Sequence, residues 1–145
     1  MSDNLLSKML KENDWILADG GTGTELFKMG LTSGDAPELW NIKYPEKVKQ
    51  LYKSFLDEGS DLILTNSFGS NSARLKLHGQ EKNSYILSKK SAEIGKKIIA
   101  NYKRPIVLAS VGPKPPGINV SAPKSEEVVW AKVAPFQLID KLKPF

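Results

Sequence analysis

Three short apolar runs, each ending in small or polar residues and separated by amphipathic stretches, constrain this chain's fold most strongly. Trp15-Ile16-Leu17-Ala18 ends at Asp19-Gly20-Gly21. Asp61-Leu62-Ile63-Leu64-Thr65-Asn66 runs into Ser67-Phe68-Gly69-Ser70-Asn71, and Ile106-Val107-Leu108-Ala109-Ser110-Val111 ends at Gly112-Pro113. Apolar runs this short, bounded by glycine and proline, read as buried strands. Between the second and third lies a helix over residues 84–102, with Leu87, Ile94, Ile98 and Tyr102 on one stripe. Between the first and second, Pro45 opens a helix whose Val48, Leu51, Tyr52, Phe55 and Leu56 share a face, and Gly59 closes it. Residues 3–12 read as a leading amphipathic helix. Residues 22–44 read mostly as loop, with a helical turn around Glu25 to Met29. A short helix is expected before Leu77-His78-Gly79.

Strands alternating with amphipathic helices specify βαβ units and a parallel sheet. Strands that are apolar along most of their length require cover on both faces of that sheet. The pattern stops at Pro113. Five of the nine prolines, Pro115, Pro116, Pro123, Pro135 and Pro144, lie beyond it. There, Val128-Val129-Trp130 reads as a short strand and Phe136 to Leu142 as one or two helical turns.

Composition narrows the chemistry. The chain has 145 residues and no cysteine, which excludes disulfides, thiolate metal sites and a thiol nucleophile. Its net charge of +5 comes almost wholly from scattered lysines, since only Arg74 and Arg104 are arginines. That pattern reads as solvated helix faces rather than a nucleic-acid surface. No apolar run approaches a membrane span or a signal-peptide core, so a cytoplasmic chain that binds no membrane and no nucleic acid is expected.

In parallel α/β proteins, ligands gather at the carboxyl ends of the strands. Asp19-Gly20-Gly21-Thr22-Gly23-Thr24, Thr65-Asn66-Ser67 and Ser110-Val111-Gly112-Pro113 all fall there. Gly20 and Gly21 let backbone N–H groups approach an anion, and Asp19 offers an acceptor to an ammonium group. Together they suit an amino acid. Gly20-Gly21 also reads as a plain tight turn, and Asn66-Ser67 as a strand-end turn held by its own side chains. Gly21 and Gly23 lack the third glycine of a dinucleotide fingerprint, because Leu26 stands in its place. His78, the only histidine, reads as a helix-end residue, and a metal site is not expected.

Six segments, in order, resemble the homocysteine S-methyltransferase family over residues 14–113. They are Asp19 to Thr24; Asp35-Ala36-Pro37-Glu38-Leu39-Trp40-Asn41 followed by Pro45; Gly59-Ser60-Asp61; Thr65-Asn66-Ser67-Phe68-Gly69; Ala73-Arg74-Leu75 with Leu77-His78-Gly79; and Ser110-Val111-Gly112-Pro113. Within the family, the betaine–homocysteine methyltransferases and the homocysteine-binding module of methionine synthase look most similar.

The resemblance implies the N-terminal three βα units of a TIM (β/α)8 barrel and methyl transfer to the homocysteine thiol, giving methionine. It also implies zinc held by three cysteines, which would keep that thiol as a reactive thiolate. By the same resemblance Asp19 binds the homocysteine amino group and the backbone of Gly20, Gly21 and Thr22 its carboxylate, while Thr65, Asn66 and Phe68 line the pocket.

A complete barrel of this type needs about 250 residues, and this chain supplies no cysteine. The expectation is therefore a partial barrel domain over 1–113, a divergent proline-rich tail over 114–145, no cofactor held by this chain, and no activity alone. Where the family continues Thr-Gly, Lys114-Pro115 follows, as in a truncated, internally deleted or frame-shifted product. An incomplete sheet leaves an open edge through which the chain would self-associate or pair with a missing half. The alternative is a metal-free amino-acid-binding or interaction module that pairs with a full-length homologue.

Overall fold

The computed structural model describes residues 5–13, 15–103, 105–110 and 112. The chain runs through α1 (Leu5–Glu12), α2 (Thr22–Lys28), α3 (Trp40–Lys43), α4 (Pro45–Asp57), β1 (Leu62–Leu64), α5 (Ser72–Leu75), α6 (Ser84–Ile99) and β2 (Ile106–Leu108). Single 3-10 turns at Pro37–Leu39, Lys76–His78 and Glu81–Asn83 link them. The stretch expected to be mostly loop thus holds α2, a 3-10 turn and α3. Leu26, Leu31, Ala36 and Trp40 from it are buried and anchor these short elements, while Gly30 and Gly34, both at positive φ, and Pro37, which opens the 3-10 turn, keep any longer helix from forming, as expected. The expected strand at 128–130 and helix at 136–142 lie outside the described residues.

β1 pairs in parallel with β2 in the register Leu62↔Ile106, Ile63↔Val107 and Leu64↔Leu108. On its other edge β1 meets the first apolar run, but only through one parallel bridge, Ala18↔Leu62. The expected strand over Trp15–Ala18 is thus reduced to a single bridging residue. The reason is that two carboxylates take over the pairing. The Leu17 N–H donates to Asp61 Oδ2 at 3.1 Å, and the Leu64 N–H donates to Asp19 Oδ2 at 2.8 Å. Between them the Leu17 carbonyl accepts from both Asp61 N and Leu62 N, and Asp19 N donates to Leu62 O.

The sheet is covered on both faces, as its composition requires. Strand alternation sends Ile63 into one layer with Leu26, Leu31, Trp40, Val48, Leu51, Tyr52, Leu56 and Ile98. Leu62, Ile106 and Leu108 point the other way and pack with Met9 of α1. Each fully buried aliphatic side chain such as Leu51 or Ile63 contributes about 1.5–3 kcal/mol. Helix α6 lies directly on β2 because Gly95 faces it: a Cβ there would stand 2.9 Å from Val107 Cγ1. The expected helix stripe is present, with Leu87 and Ile98 buried and Ile94 and Tyr102 packed at the margin. Among the described residues no helix is long and apolar enough to cross a membrane.

Candidate functional site

Past the carboxyl ends of the strands, side chains continue the ladder that the backbone leaves off. Thr65 N still donates to Leu108 O at 2.9 Å. One residue pair further on, the Thr65 hydroxyl accepts the Ser110 N–H at 3.0 Å, and Ser67 Oγ donates to Ser110 O at 2.8 Å. The two hydroxyls also bond each other at 2.6 Å. Gly112 N then donates to Phe68 O at 2.9 Å, and a Cβ at Gly112 would lie 2.2 Å from that oxygen, so only glycine fits. The β1 and β2 loops are therefore stitched together where a ligand would sit.

Asn66 is the hub of a buried polar network. Its side-chain amide donates to Pro37 O at 2.9 Å and to Asn41 Oδ1 at 3.1 Å. Asn41 returns the bond to Asn66 O at 2.8 Å and also holds Leu87 O at 3.1 Å. The Asn66 backbone N–H donates to the Tyr52 hydroxyl at 2.6 Å, and that hydroxyl pairs with Ser91 Oγ at 2.9 Å. Burial pushes the Tyr52 phenol up to about 12, so it stays neutral. A network this fully paired fixes the first loop, α4, β1 and α6 in one arrangement.

A cleft of about 410 Å³ opens beside this network; Thr22, Glu38, Asn66, Phe68, Arg74 and Ser110 are among its walls. Of the seven residues expected to bind substrate, Thr22, Asn66 and Phe68 line it. Thr65 is buried behind it, with its hydroxyl on Ser110. Asp19, Gly20 and Gly21 lie outside its wall. Asp19 is half-buried against Leu64 N, and burial pushes its carboxyl up from 3.8 to about 6, more than the hydrogen bond from Leu64 pulls it down. The Thr22 N–H donates to Gly20 O at 2.9 Å and the Gly21 carbonyl accepts from Glu25, so part of the glycine turn's polar backbone is already engaged. Gly20 packs on Phe55, whose ring would stand 3.1 Å from a Cβ.

Glu38 and Asn41 stand out in the sequence only as members of a family motif, Arg74 as a motif member and one of two arginines, and Tyr52 as part of an apolar helix face. One signal for Ser91 was present: it falls on the apolar stripe between Leu87 and Ile94, where a small polar residue needs a partner. No comparable signal marked Glu38 as buried.

The zinc that the family resemblance implies does not fit the residues present. The chain has no cysteine, and among the described residues no three His, Asp or Glu side chains gather into a metal-holding group.

A covered parallel sheet with a polar cleft at the carboxyl ends of its strands places the chain among α/β proteins, in which ligand sites lie on the loops after the strands. The homocysteine S-methyltransferase family model matches residues 16–132, past the residue 113 at which the sequence resemblance stopped, and the chain belongs to that family. It is similar to the methionine synthases of Mycobacterium tuberculosis and Mycobacterium leprae, each 27% identical over an alignment 108 residues long that covers 68% of this chain and 9% of each relative. Its fold is similar to crystal structures of the homocysteine methyltransferase MmuM from Escherichia coli. The metallated form has a TM-score of 0.65 at 28% identity over 76% of this chain, and the oxidized form a TM-score of 0.64 at 28% identity over 75%. The chain spans 42% of the metallated enzyme's length and 41% of the oxidized one's.

Proposed function

We propose that this chain is the homocysteine-binding part of a homocysteine S-methyltransferase, built as three βα units of a TIM barrel. The observation that carries the reading is that Thr22, from one family motif, and Asn66 and Phe68, from another more than 40 residues on, line one cleft at the carboxyl end of β1. Asp19 would take the amino group of homocysteine, the backbone of Gly20, Gly21 and Thr22 its carboxylate, and Asn66 and Phe68 would flank its side chain. Thr65 would act through its hold on Ser110. At neutral pH a carboxyl titrating near 6 is mostly ionised and ready for an ammonium partner.

In the full reaction a methyl group passes to the homocysteine sulfur and methionine forms. The chemistry that activates the thiol is not supplied by this chain's side chains, since it has no cysteine. The 145-residue chain is therefore inactive alone and reaches a competent state only beside the segments that its relatives carry. Betaine, S-methylmethionine and a corrinoid-bound methyl group remain the donor classes to be compared.

A titration of the purified chain with homocysteine, followed by amide NMR, tests the reading. Shifts at Thr22, Asn66 and Phe68 that weaken in Asp19→Asn, with no methionine formed from betaine or S-methylmethionine, are expected. Turnover by the chain alone would overturn the inactive-part reading, and the absence of any homocysteine-dependent shift would overturn the binding role.

The exposed first run favours a second reading, in which the chain is an interaction module that pairs its open sheet edge with a full-length homologue. Trp15 is 65% exposed and Leu17 43% on that edge. Co-purification with such a homologue, abolished by Leu17→Lys, would favour it.

A further inference from the structure

Glu38 is 6% exposed, yet no cationic side chain meets it among the described residues. Its Oε1 accepts the Gly69 N–H at 2.6 Å, which fixes the carboxylate, and the residue forms part of the cleft wall. A buried carboxylate held by a single backbone donor still has acceptor capacity to fill. The space it faces is the cleft.

Arg74 lines the same cleft and is likewise without a carboxylate partner among the described residues. Its guanidinium stands over the Phe68 ring, 5.3 Å from the centroid, which positions the group without neutralising it. The other acid of the cleft wall, Asp35, is already taken, because its Oδ2 accepts from both the hydroxyl and the N–H of Thr32. The cleft wall therefore carries two carboxylates without an ion-pair partner among the described residues, Asp35 open to water and Glu38 buried, and one such guanidinium, Arg74, with Phe68 beside it; of the two acids only Glu38 is shielded from solvent. Asp19, the carboxylate that the sequence motif favours for an ammonium group, is turned to Leu64 N and lies outside the cleft wall.

We propose that Glu38 and Arg74 are the two poles of a zwitterion-binding subsite, Glu38 receiving a small organic cation and Arg74 the carboxylate carried with it. The inference rests on the methyltransferase reading for its choice of ligands. Two sources supply that chemistry: an amino acid with its ammonium group, or a methyl donor with a quaternary ammonium centre and a carboxylate. Neither Asp19 nor the glycine turn is required for the subsite.

The test is an amide NMR titration of the full chain with homocysteine and, separately, with glycine betaine, to about 10 mM so that weak binding registers. Wild type, Glu38→Gln and Arg74→Gln are compared. Glutamine at 38 keeps an acceptor for Gly69 N–H, and Arg74 is a surface side chain, so the spectra themselves report that both variants fold. The expected result is a Kd raised about 10-fold or more in each variant for at least one ligand, as loss of a charge-assisted contact implies. Loss for homocysteine assigns the subsite to the acceptor, and loss for betaine alone assigns it to the donor. Equal affinities in wild type and both variants would overturn the inference while leaving the methyltransferase reading intact, as would the absence of betaine binding together with homocysteine binding that only Asp19→Asn weakens. Betaine binding that both variants weaken, with no homocysteine binding, would sink the proposed function and leave the inference standing. Binding of neither ligand by the wild type overturns both.

Discussion

Asp19 Oδ2 accepts the Leu64 N–H at 2.8 Å, so a side-chain carboxylate closes β1 where a neighbouring strand would ordinarily offer a backbone carbonyl. The same residue's own N–H binds Leu62 O, so Asp19 grips β1 at two points two residues apart. This makes a residue proposed for substrate binding also a structural clasp.

The clasp predicts a pH signature. Burial raises the Asp19 carboxyl from 3.8 to about 6 in the folded chain. Between those values the folded state binds more protons than the unfolded state, so stability falls as pH rises. The contribution is fully present below the unfolded value and lost as pH passes the folded one. With its partial solvent access allowed for, the loss is about 1–2 kcal/mol. Urea midpoints measured across that interval should fall in the wild type relative to Asp19→Asn, which keeps an acceptor but does not titrate. Parallel curves for the two proteins would refute the assignment.

Tyr52→Phe should destabilise the chain by about 1–3 kcal/mol, because the buried Asn66 N–H loses its 2.6 Å acceptor. Ser91 loses its partner in the same variant. The double variant Tyr52→Phe, Ser91→Ala should therefore cost less than the two single changes added together. Denaturant unfolding of the four proteins measures this directly, and strict additivity would mean the two hydroxyls are not coupled.

Much of this was legible in the sequence, for reasons that differ by residue. The α4 and α6 stripes and the Pro45 start announced themselves because packing and periodicity agree there. So did the parallel pairing of 62–64 with 106–108, since both runs are apolar on two faces. Trp15–Ala18 misled because an apolar run signals a strand whether the backbone or an aspartate completes its bonds. The Asp19 and Asp61 carboxylates act over 45 and 44 residues of separation, which no local pattern encodes. Glu38 was hidden for a similar reason: a charged residue next to proline reads as surface, and only the Gly69 N–H from a distant loop makes its burial tolerable. For the cleft, the family resemblance implied Thr22, Asn66 and Phe68, whereas the role of Thr65 as a stitch to Ser110 depends on the β1–β2 register.

The close packing of α6 on the sheet makes Gly95 a sensitive position. An added Cβ would meet Val107 Cγ1 at 2.9 Å and Cγ2 at 3.2 Å, both from a stiff β-branched side chain on β2. Gly95→Ala should cost about 1–3 kcal/mol through overpacking, despite alanine's better helix propensity. Val107→Ala in the same chain should recover part of that loss by removing the two methyl groups. Thermal unfolding of the single and double variants is the measurement. A Gly95→Ala protein that melts above the wild type would show that the helix can back away from the sheet at little cost.

The open edge at the first apolar run yields the last expectation. Ala18 forms a single bridge to Leu62, and Trp15 and Leu17 beside it are 65% and 43% exposed. An edge that is apolar and only partly paired is a template for another chain. Sedimentation velocity should show the chain's weight-average mass rising with concentration. A lysine on the edge opposes such pairing through its charge and solvation, so Leu17→Lys should hold the chain monomeric at concentrations where the wild type associates. Because the Leu17 side chain is exposed, the substitution should leave the melting temperature of the dilute protein nearly unchanged. Association that persists undiminished in Leu17→Lys would move the contact away from this edge. A wild type that stays monomeric throughout would show that the two aspartate clasps already close the edge well enough to protect it.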